Sequence, residues 1–204
     1  MKRSLYFGAS VIAVSGTALF AQAQADQTSF NFNGQDFTIT RAAQVNLEAV
    51  ARFSAPDLSC EGKCLSPMVA ADGVDTIGEL DVMTFMTQAV ANGSGLIVDA
   101  RLPENRSIGF IPASVNVPLP TMEAENPFRQ DILLALGARA LGDTLNFSDA
   151  MDLVVFDAGP GTTDAQRMIN NLLDAGYPAE KIKYYRGGMQ VWTALGLTTQ
   201  EQPS

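Results

Sequence analysis

Two short apolar segments, each ending in an aspartate, set the strongest limit on how this chain can fold. Residues 96–98 read Leu-Ile-Val and end at Asp99, and residues 153–156 read Leu-Val-Val-Phe and end at Asp157. Wholly apolar strands of this length are typical of central parallel strands that helices cover on both faces. Because helical patterns alternate with the strands, the sequence predicts an α/β fold. We expect a three-layer α/β/α domain with a central, mostly parallel sheet.

The remaining elements are predicted from apolar spacing and from turn residues. Alternation around Asn33-Gly34 predicts a hairpin over 30–39, and Thr76 is expected to cap the second helix. Further short strands are expected at 115–117 and 183–185. The predicted helices cover residues 41–53, 78–91, 127–141, 164–175 and 189–195.

The first 25 residues have the pattern of a secretory signal peptide. Lys2 and Arg3 precede an apolar stretch over 5–20, and Ala23-Gln24-Ala25 supplies small residues before a cleavage site. The pattern predicts an exported protein of the bacterial periplasm. The alternative is an uncleaved membrane anchor, although small and polar residues interrupt the apolar stretch and suit a spanning helix poorly.

The charge of the chain argues against two classes of partner. The formal net charge is −9, and cleavage after Ala25 would make it more negative by removing the positive charges of Lys2 and Arg3. An acidic surface repels phosphate groups and anionic lipid headgroups. We therefore expect no nucleic-acid partner and no membrane attachment after signal cleavage.

The chain contains no histidine, which is the commonest general base and metal ligand. Its two cysteines, Cys60 and Cys64, lie close together in an irregular stretch, and the predicted compartment is oxidising. These facts favour a local disulfide, with a redox-active or sulfur-carrying pair as the alternative. Two thiolates without histidine leave a tetrahedral ion short of ligands, so we expect no metal ion and no cofactor.

Four motifs resemble those of the rhodanese family, in the same order and with similar spacing. They are Asp99-Ala100-Arg101, Gly109-Phe110-Ile111-Pro112-Ala113-Ser114 followed by Asn116-Val117-Pro118, the apolar strand that opens the loop 157–163, and Arg186-Gly187-Gly188-Met189-Gln190-Val191-Trp192. The resemblance implies a rhodanese-like domain over 75–197. An N-terminal extension over 26–74 then contains both cysteines, and a tail covers 198–204.

The resemblance also identifies a substitution in the catalytic loop. A rhodanese carries a cysteine at the end of this strand, where inward-pointing backbone N–H groups and a helix N-terminus lower the thiol pKa and stabilise a persulfide anion. The equivalent loop here consists of Asp157, Ala158, Gly159, Pro160, Gly161, Thr162 and Thr163. A carboxylate cannot carry sulfane sulfur, so we expect no catalytic residue in this loop.

The side chains around the loop support the same interpretation. Asp157 is expected to accept the loop N–H groups itself and to have a low pKa, because hydrogen bonds favour the charged form. Asp99 and Arg101 are expected to support the loop, with Arg101 pairing with Asp157. Phe110 replaces the histidine of the family motif, which favours packing over chemistry.

The sequence therefore predicts a periplasmic rhodanese-like protein that lacks the catalytic cysteine and is not an enzyme. We expect a non-catalytic binding or regulatory module whose partner is another periplasmic protein. Two alternatives stay open. One is a sulfurtransferase or sulfur carrier that uses Cys60 or Cys64 from the N-terminal extension, and the other is a binder of a small ligand or cation through Asp157 and Asp164.

Overall fold

The computed structural model describes residues 27–54, 65–142 and 144–201 of the chain. Within these ranges the strands are β1 (Gln27–Phe32), β2 (Gln35–Thr40), β3 (Asp75–Thr76), β4 (Gly95–Asp99), β5 (Ser114–Asn116), β6 (Arg139–Leu141), β7 (Thr144–Asn146), β8 (Asp152–Phe156) and β9 (Ile182–Tyr184). The helices are α1 (Leu47–Phe53), α2 (Glu79–Phe85), α3 (Pro103–Ser107), α4 (Arg129–Ala135), α5 (Asp164–Asp174) and α6 (Gly188–Ala194). A π-helical segment over Met86–Val90 follows α2 directly.

The centre of the described structure is a five-stranded sheet in the order β3-β9-β8-β4-β5, and every neighbouring pair in it is parallel. Adjacent residues on each central strand point into two different hydrophobic clusters. Ile97 packs with residues of α2 and α6, whereas Val98 packs with residues of α4 and α5. Because both faces of the strands are buried, their apolar runs are continuous. The predicted three-layer α/β/α fold is confirmed.

The N-terminal extension contributes to both hydrophobic clusters, with Ala70 and Val74 in the cluster that contains α4 and α5. The hairpin β1-β2 and helix α1 contribute Phe30, Phe37, Ile39 and Phe53 to the cluster that contains Trp192. The predicted signal peptide over 1–25 and the predicted Cys60–Cys64 disulfide lie outside the described residues. No helix within the described ranges is both long and apolar enough to cross a bilayer.

The predicted helix over 127–141 is wrong in its second half. Helix α4 ends at Ala135, and residues 139–146 form the hairpin β6-β7 instead. Gly137 causes the change, because its φ is +96° and a Cβ there would lie 2.8 Å from the carbonyl oxygen of Asp149. Only glycine tolerates this combination of a left-handed backbone and close approach.

Two helix starts also differ from the predictions. Helix α1 begins at Leu47 rather than near Arg41, because the Asn46 side chain accepts hydrogen bonds from the first-turn backbone and caps it there. Gly78, not Thr76, precedes α2, and its backbone N–H donates to Asp81 at 3.0 Å. Thr76 lies in β3, where it pairs with β9.

Candidate functional site

The candidate site is the loop 157–163, which connects the carboxyl end of β8 to the amino end of α5. The Gly187-Gly188 turn packs against it, and a Cβ on Gly188 would lie 2.5 Å from the carbonyl oxygen of Asp157. Gly188 also has a φ of +55°. Glycine is therefore needed at 188 both for the backbone conformation and for the close approach of the loop.

Asp157 lies at the start of this loop and is 0% exposed. The backbone N–H of Gly159 donates to its Oδ1 at 2.9 Å, and the backbone N–H of Ala165 donates to its Oδ2 at 2.9 Å. We call these two N–H groups the cradle. One comes from the loop and the other from the first turn of α5, so the carboxylate occupies the place where the helix dipole favours an anion.

The expectation of a low pKa for Asp157 is wrong. Burial raises the pKa of this carboxyl to about 6, and the hydrogen bonds from Ala165 and Gly159 offset only part of that increase. The nearby charge of Asp164 raises it further. The sequence shows the potential hydrogen bonds but not the complete loss of water, which is the larger effect here.

The expected pair between Arg101 and Asp157 is also wrong. Arg101 forms a bidentate ion pair with Asp99, with Nη2–Oδ2 at 2.6 Å and Nε–Oδ1 at 2.8 Å. Its remaining donors bind the carbonyl oxygens of Asn105 and Gly109. Because Asp99 is only two residues away, Arg101 folds back onto it and ties the end of β4 to the chain that follows, rather than to the loop.

Arg106 completes this buried cluster and was missed in the sequence. Its Nη1 donates to Asp99 Oδ2 at 3.0 Å and to Ser114 Oγ at 2.8 Å. Its guanidinium also lies 3.8 Å from the centre of the Phe110 ring, a cation–π contact. Burial lowers the pKa of Arg106. The one available signal was a second arginine close to the Asp99 motif, and no spacing rule assigns it this partner.

A segment of the N-terminal extension, residues 65–70, lies against the loop, and we call it the strap. The backbone N–H of Ser66 donates to the carbonyl oxygen of Pro160 at 2.8 Å. Arg186 donates to the carbonyl oxygen of Ser66 through Nε at 3.1 Å and Nη2 at 3.0 Å. Gln166 Nε2 reaches the carbonyl oxygen of Ala70 at 3.5 Å. No pattern in the sequence indicates that this segment covers the loop.

The arrangement limits what the loop can do chemically. The carboxylate of Asp157 cannot form a persulfide, which requires a thiolate, and both of its oxygens accept hydrogen bonds from the cradle. Among the residues that the structure describes, no three potential ligands are grouped closely enough to hold a metal ion. The loop therefore combines a buried carboxylate with a covered outer surface.

Comparison with known proteins places this fold. A family model described as "Rhodanese-like domain" matches residues 84–195. No curated protein matches the chain.

Several solved structures resemble it at low identity. A thiosulfate sulfurtransferase from Pseudomonas aeruginosa is 20% identical, with 64% of this chain and 21% of that chain covered and a TM-score of 0.43. A protein of unknown function from Rhodopseudomonas palustris, described as a possible tyrosine phosphatase, is 18% identical, with 64% and 88% covered and a TM-score of 0.46. A rhodanese-like domain from Anabaena is 20% identical, with 53% and 67% covered and a TM-score of 0.37. The family model spans more than half of the chain and agrees with the motifs and the parallel sheet, and the chain therefore belongs to the rhodanese-like domain family.

Proposed function

We propose that this chain is an exported rhodanese-like module that does not transfer sulfur and instead binds or regulates a protein partner in the periplasm. The observation that carries the proposal is Asp157, which lies where the motif resemblance places the family's cysteine and accepts hydrogen bonds from the cradle with both oxygens. A sulfurtransferase needs a thiolate there to take up sulfane sulfur, and no reaction of a carboxylate replaces that step.

The surface beside the loop supports a protein partner. The strap exposes three large apolar side chains, Leu65, Met68 and Val69, with exposed fractions of 68%, 67% and 58%. Grouped apolar side chains on a surface favour contact with another protein. The acidic charge of the chain argues against nucleic acid and anionic lipid as partners.

The mature protein is expected to produce no thiocyanate from thiosulfate and cyanide above the uncatalysed rate. The physical reason is that Asp157 cannot form the persulfide intermediate from which cyanide takes sulfur. The measurement is a colorimetric thiocyanate assay, with an active rhodanese as positive control in the same buffer. Sustained turnover by the purified protein would sink the proposal.

A second candidate function is sulfur carriage by Cys60 or Cys64. The observation that favours it is the contact between Ser66 and Pro160, because Ser66 follows Cys64 by two residues in the sequence. The described chain that follows the two cysteines therefore contacts the loop at Pro160.

Mass spectrometry distinguishes the two functions. After reduction and incubation with thiosulfate or a persulfide donor, the main proposal expects no protein species heavier by one sulfur atom. Sulfur carriage expects such a species, with the adduct mapped to Cys60 or Cys64 and lost in the matching serine variant. Reduced Cys60 and Cys64 thiols that take up no sulfur from thiosulfate would rule out the carrier.

A further inference from the structure

Hydrogen bonds connect each of the two oxygens of Asp157 to the strap through neighbouring residues of the loop and α5. Oδ1 accepts the N–H of Gly159, and the next residue, Pro160, accepts the N–H of Ser66 from the strap. The Ser66 hydroxyl also donates to the same carbonyl oxygen at 3.3 Å. The first oxygen therefore holds the residue that immediately precedes a strap contact.

The second oxygen is linked to the strap in the same way. Oδ2 accepts the N–H of Ala165, and the next residue, Gln166, donates to the carbonyl oxygen of Ala70. Ser66 and Ala70 are both buried, with exposed fractions of 3% and 6%. Both buried residues of the strap therefore form hydrogen bonds with residues that directly follow the two cradle residues.

No cationic side chain among the described residues pairs with Asp157, whose charge is stabilised by the cradle N–H groups and the amino end of α5. Asp164, from the first turn of α5, is a second carboxyl group. Tyr184, from β9, is 0% exposed and its hydroxyl has no hydrogen-bond partner within the described residues. Arg186 follows β9, but its guanidinium donates to Ser66 of the strap. None of the ion pairs among the described residues includes Asp157.

We propose that the strap is a proton-controlled cover, which closes over the loop when Asp157 is protonated and loosens when Asp157 is ionised. The cradle stabilises the ionised carboxylate, but without a cation it does not offset the full cost of excluding water from the charge. Loosening the strap and loop admits water to the carboxylate and relieves that cost. Protonation removes the cost, so the closed arrangement is then favoured.

The direction follows from proton linkage. In the closed arrangement burial raises the pKa of Asp157 to about 6, whereas the ordinary value of a hydrated aspartate is 3.8. Closing therefore takes up a proton, and acid favours the closed strap. As the pH rises through the pKa of the closed arrangement, opening becomes more favourable until Asp157 is ionised in both arrangements.

The device concerns the same loop as the proposed function, and its regulatory meaning rests on that function. The experiment that tests the cover contains neither a partner nor a sulfur donor, so its result does not depend on the proposed function. Sulfur transfer by the mature protein would remove the proposed function without affecting proton control of the strap. Conversely, strap protection that does not change with pH would overturn the cover and leave the proposed absence of sulfur transfer unaffected.

Hydrogen exchange of the full mature protein, read by mass spectrometry, tests the cover directly. After correction for the intrinsic pH dependence of exchange, protection of peptides that cover 65–70 and 157–165 is expected to fall about 25-fold between about pH 4.5 and about pH 7.5. Peptides from the central strand β4 are expected to keep their protection over the same range.

Two variants identify the titrating group. Asp157→Asn cannot ionise, so its strap protection is expected to stay constant with pH after the same correction. Asp164→Asn is the matched control, because it removes the neighbouring carboxyl and keeps Asp157, and it is expected to retain the pH response.

The wild-type protein alone keeps the proposal testable if Asp157→Asn does not fold. Carbon-13 NMR of the aspartate carboxyl groups gives the ionisation midpoint of Asp157, which must coincide with the midpoint of the strap response. Strap protection that is constant with pH in the wild type, a full response in folded Asp157→Asn, or two separate midpoints would each overturn the proposal.

Discussion

Replacing Asp99 with alanine is expected to lower the free energy of unfolding by about 4 kcal/mol. Asp99 is 0% exposed and is the one carboxylate that pairs with both Arg101 and Arg106 in the described structure. The two arginines are themselves buried, with exposed fractions of 2% and 7%. Removing the shared carboxylate leaves two buried cations without a counter-charge, which is far more costly than losing a surface pair.

The matched control is Asp149→Ala, which removes an ion pair with Arg139 whose side chains are 52% and 71% exposed. This variant is expected to cost less than about 1 kcal/mol. Urea unfolding followed by circular dichroism measures both variants against the wild type. An Asp99→Ala protein within about 1 kcal/mol of the wild type would show that carbonyl oxygens and water alone satisfy the two arginines, contrary to the expectation.

The central sheet could be predicted because the continuous apolar strands that form it can be recognised in the sequence. Strand residues alternate between two faces, and helices bury both faces, so Ile97 and Val98 must both be apolar although they pack in different clusters. The placement of the loop 157–163 between β8 and α5 followed from the motifs, because residue order alone marks the end of the strand and the start of the helix. These features depend on local pattern and on topology.

The parts that were missed depend on contacts between distant segments. The strap has no periodicity, and its contacts are backbone and side-chain hydrogen bonds across about ninety or more positions, such as Ser66 with Pro160. The predicted partner of Arg101, Asp157, was wrong because Asp99 is closer and takes both hydrogen bonds of the ion pair. The predicted low pKa of Asp157 was wrong because burial is a property of the packed structure. In each case the sequence shows the residue types but not the contacts that they make in the fold.

Replacing Asp157 with cysteine is expected to create sulfur transfer in a chain that lacks it. A cysteine persulfide has a sulfur in place of the aspartate Cγ and an outer sulfur in place of an Oδ, so the anion ends at the same number of bonds from Cβ. The N–H groups of Gly159 and Ala165 now bind the two carboxylate oxygens at 2.9 Å each, and the one that binds this Oδ would then bind the sulfur anion. Such donors lower the thiol pKa and stabilise the persulfide.

The reaction balances without any further group. The thiolate introduced by Asp157→Cys would attack the outer sulfur of thiosulfate, forming an S–S bond and releasing sulfite. Cyanide would then take that sulfur as thiocyanate and restore the thiolate. One preorganised N–H donor accounts for a gain on the order of 100-fold over an uncradled thiol.

The decisive comparison keeps a single thiol in the chain. In a background with Cys60→Ser and Cys64→Ser, Asp157→Cys is compared with Ala158→Cys, whose side chain starts one residue beyond the cradle position and is half-buried. We expect thiocyanate production and a lowered thiol pKa, read from the pH dependence of alkylation, in the first variant only. Because burial of Asp157 outweighs its hydrogen bonds, the opposite result has a clear meaning: an ordinary or raised thiol pKa without turnover would show that desolvation dominates the cradle for sulfur as it does for oxygen.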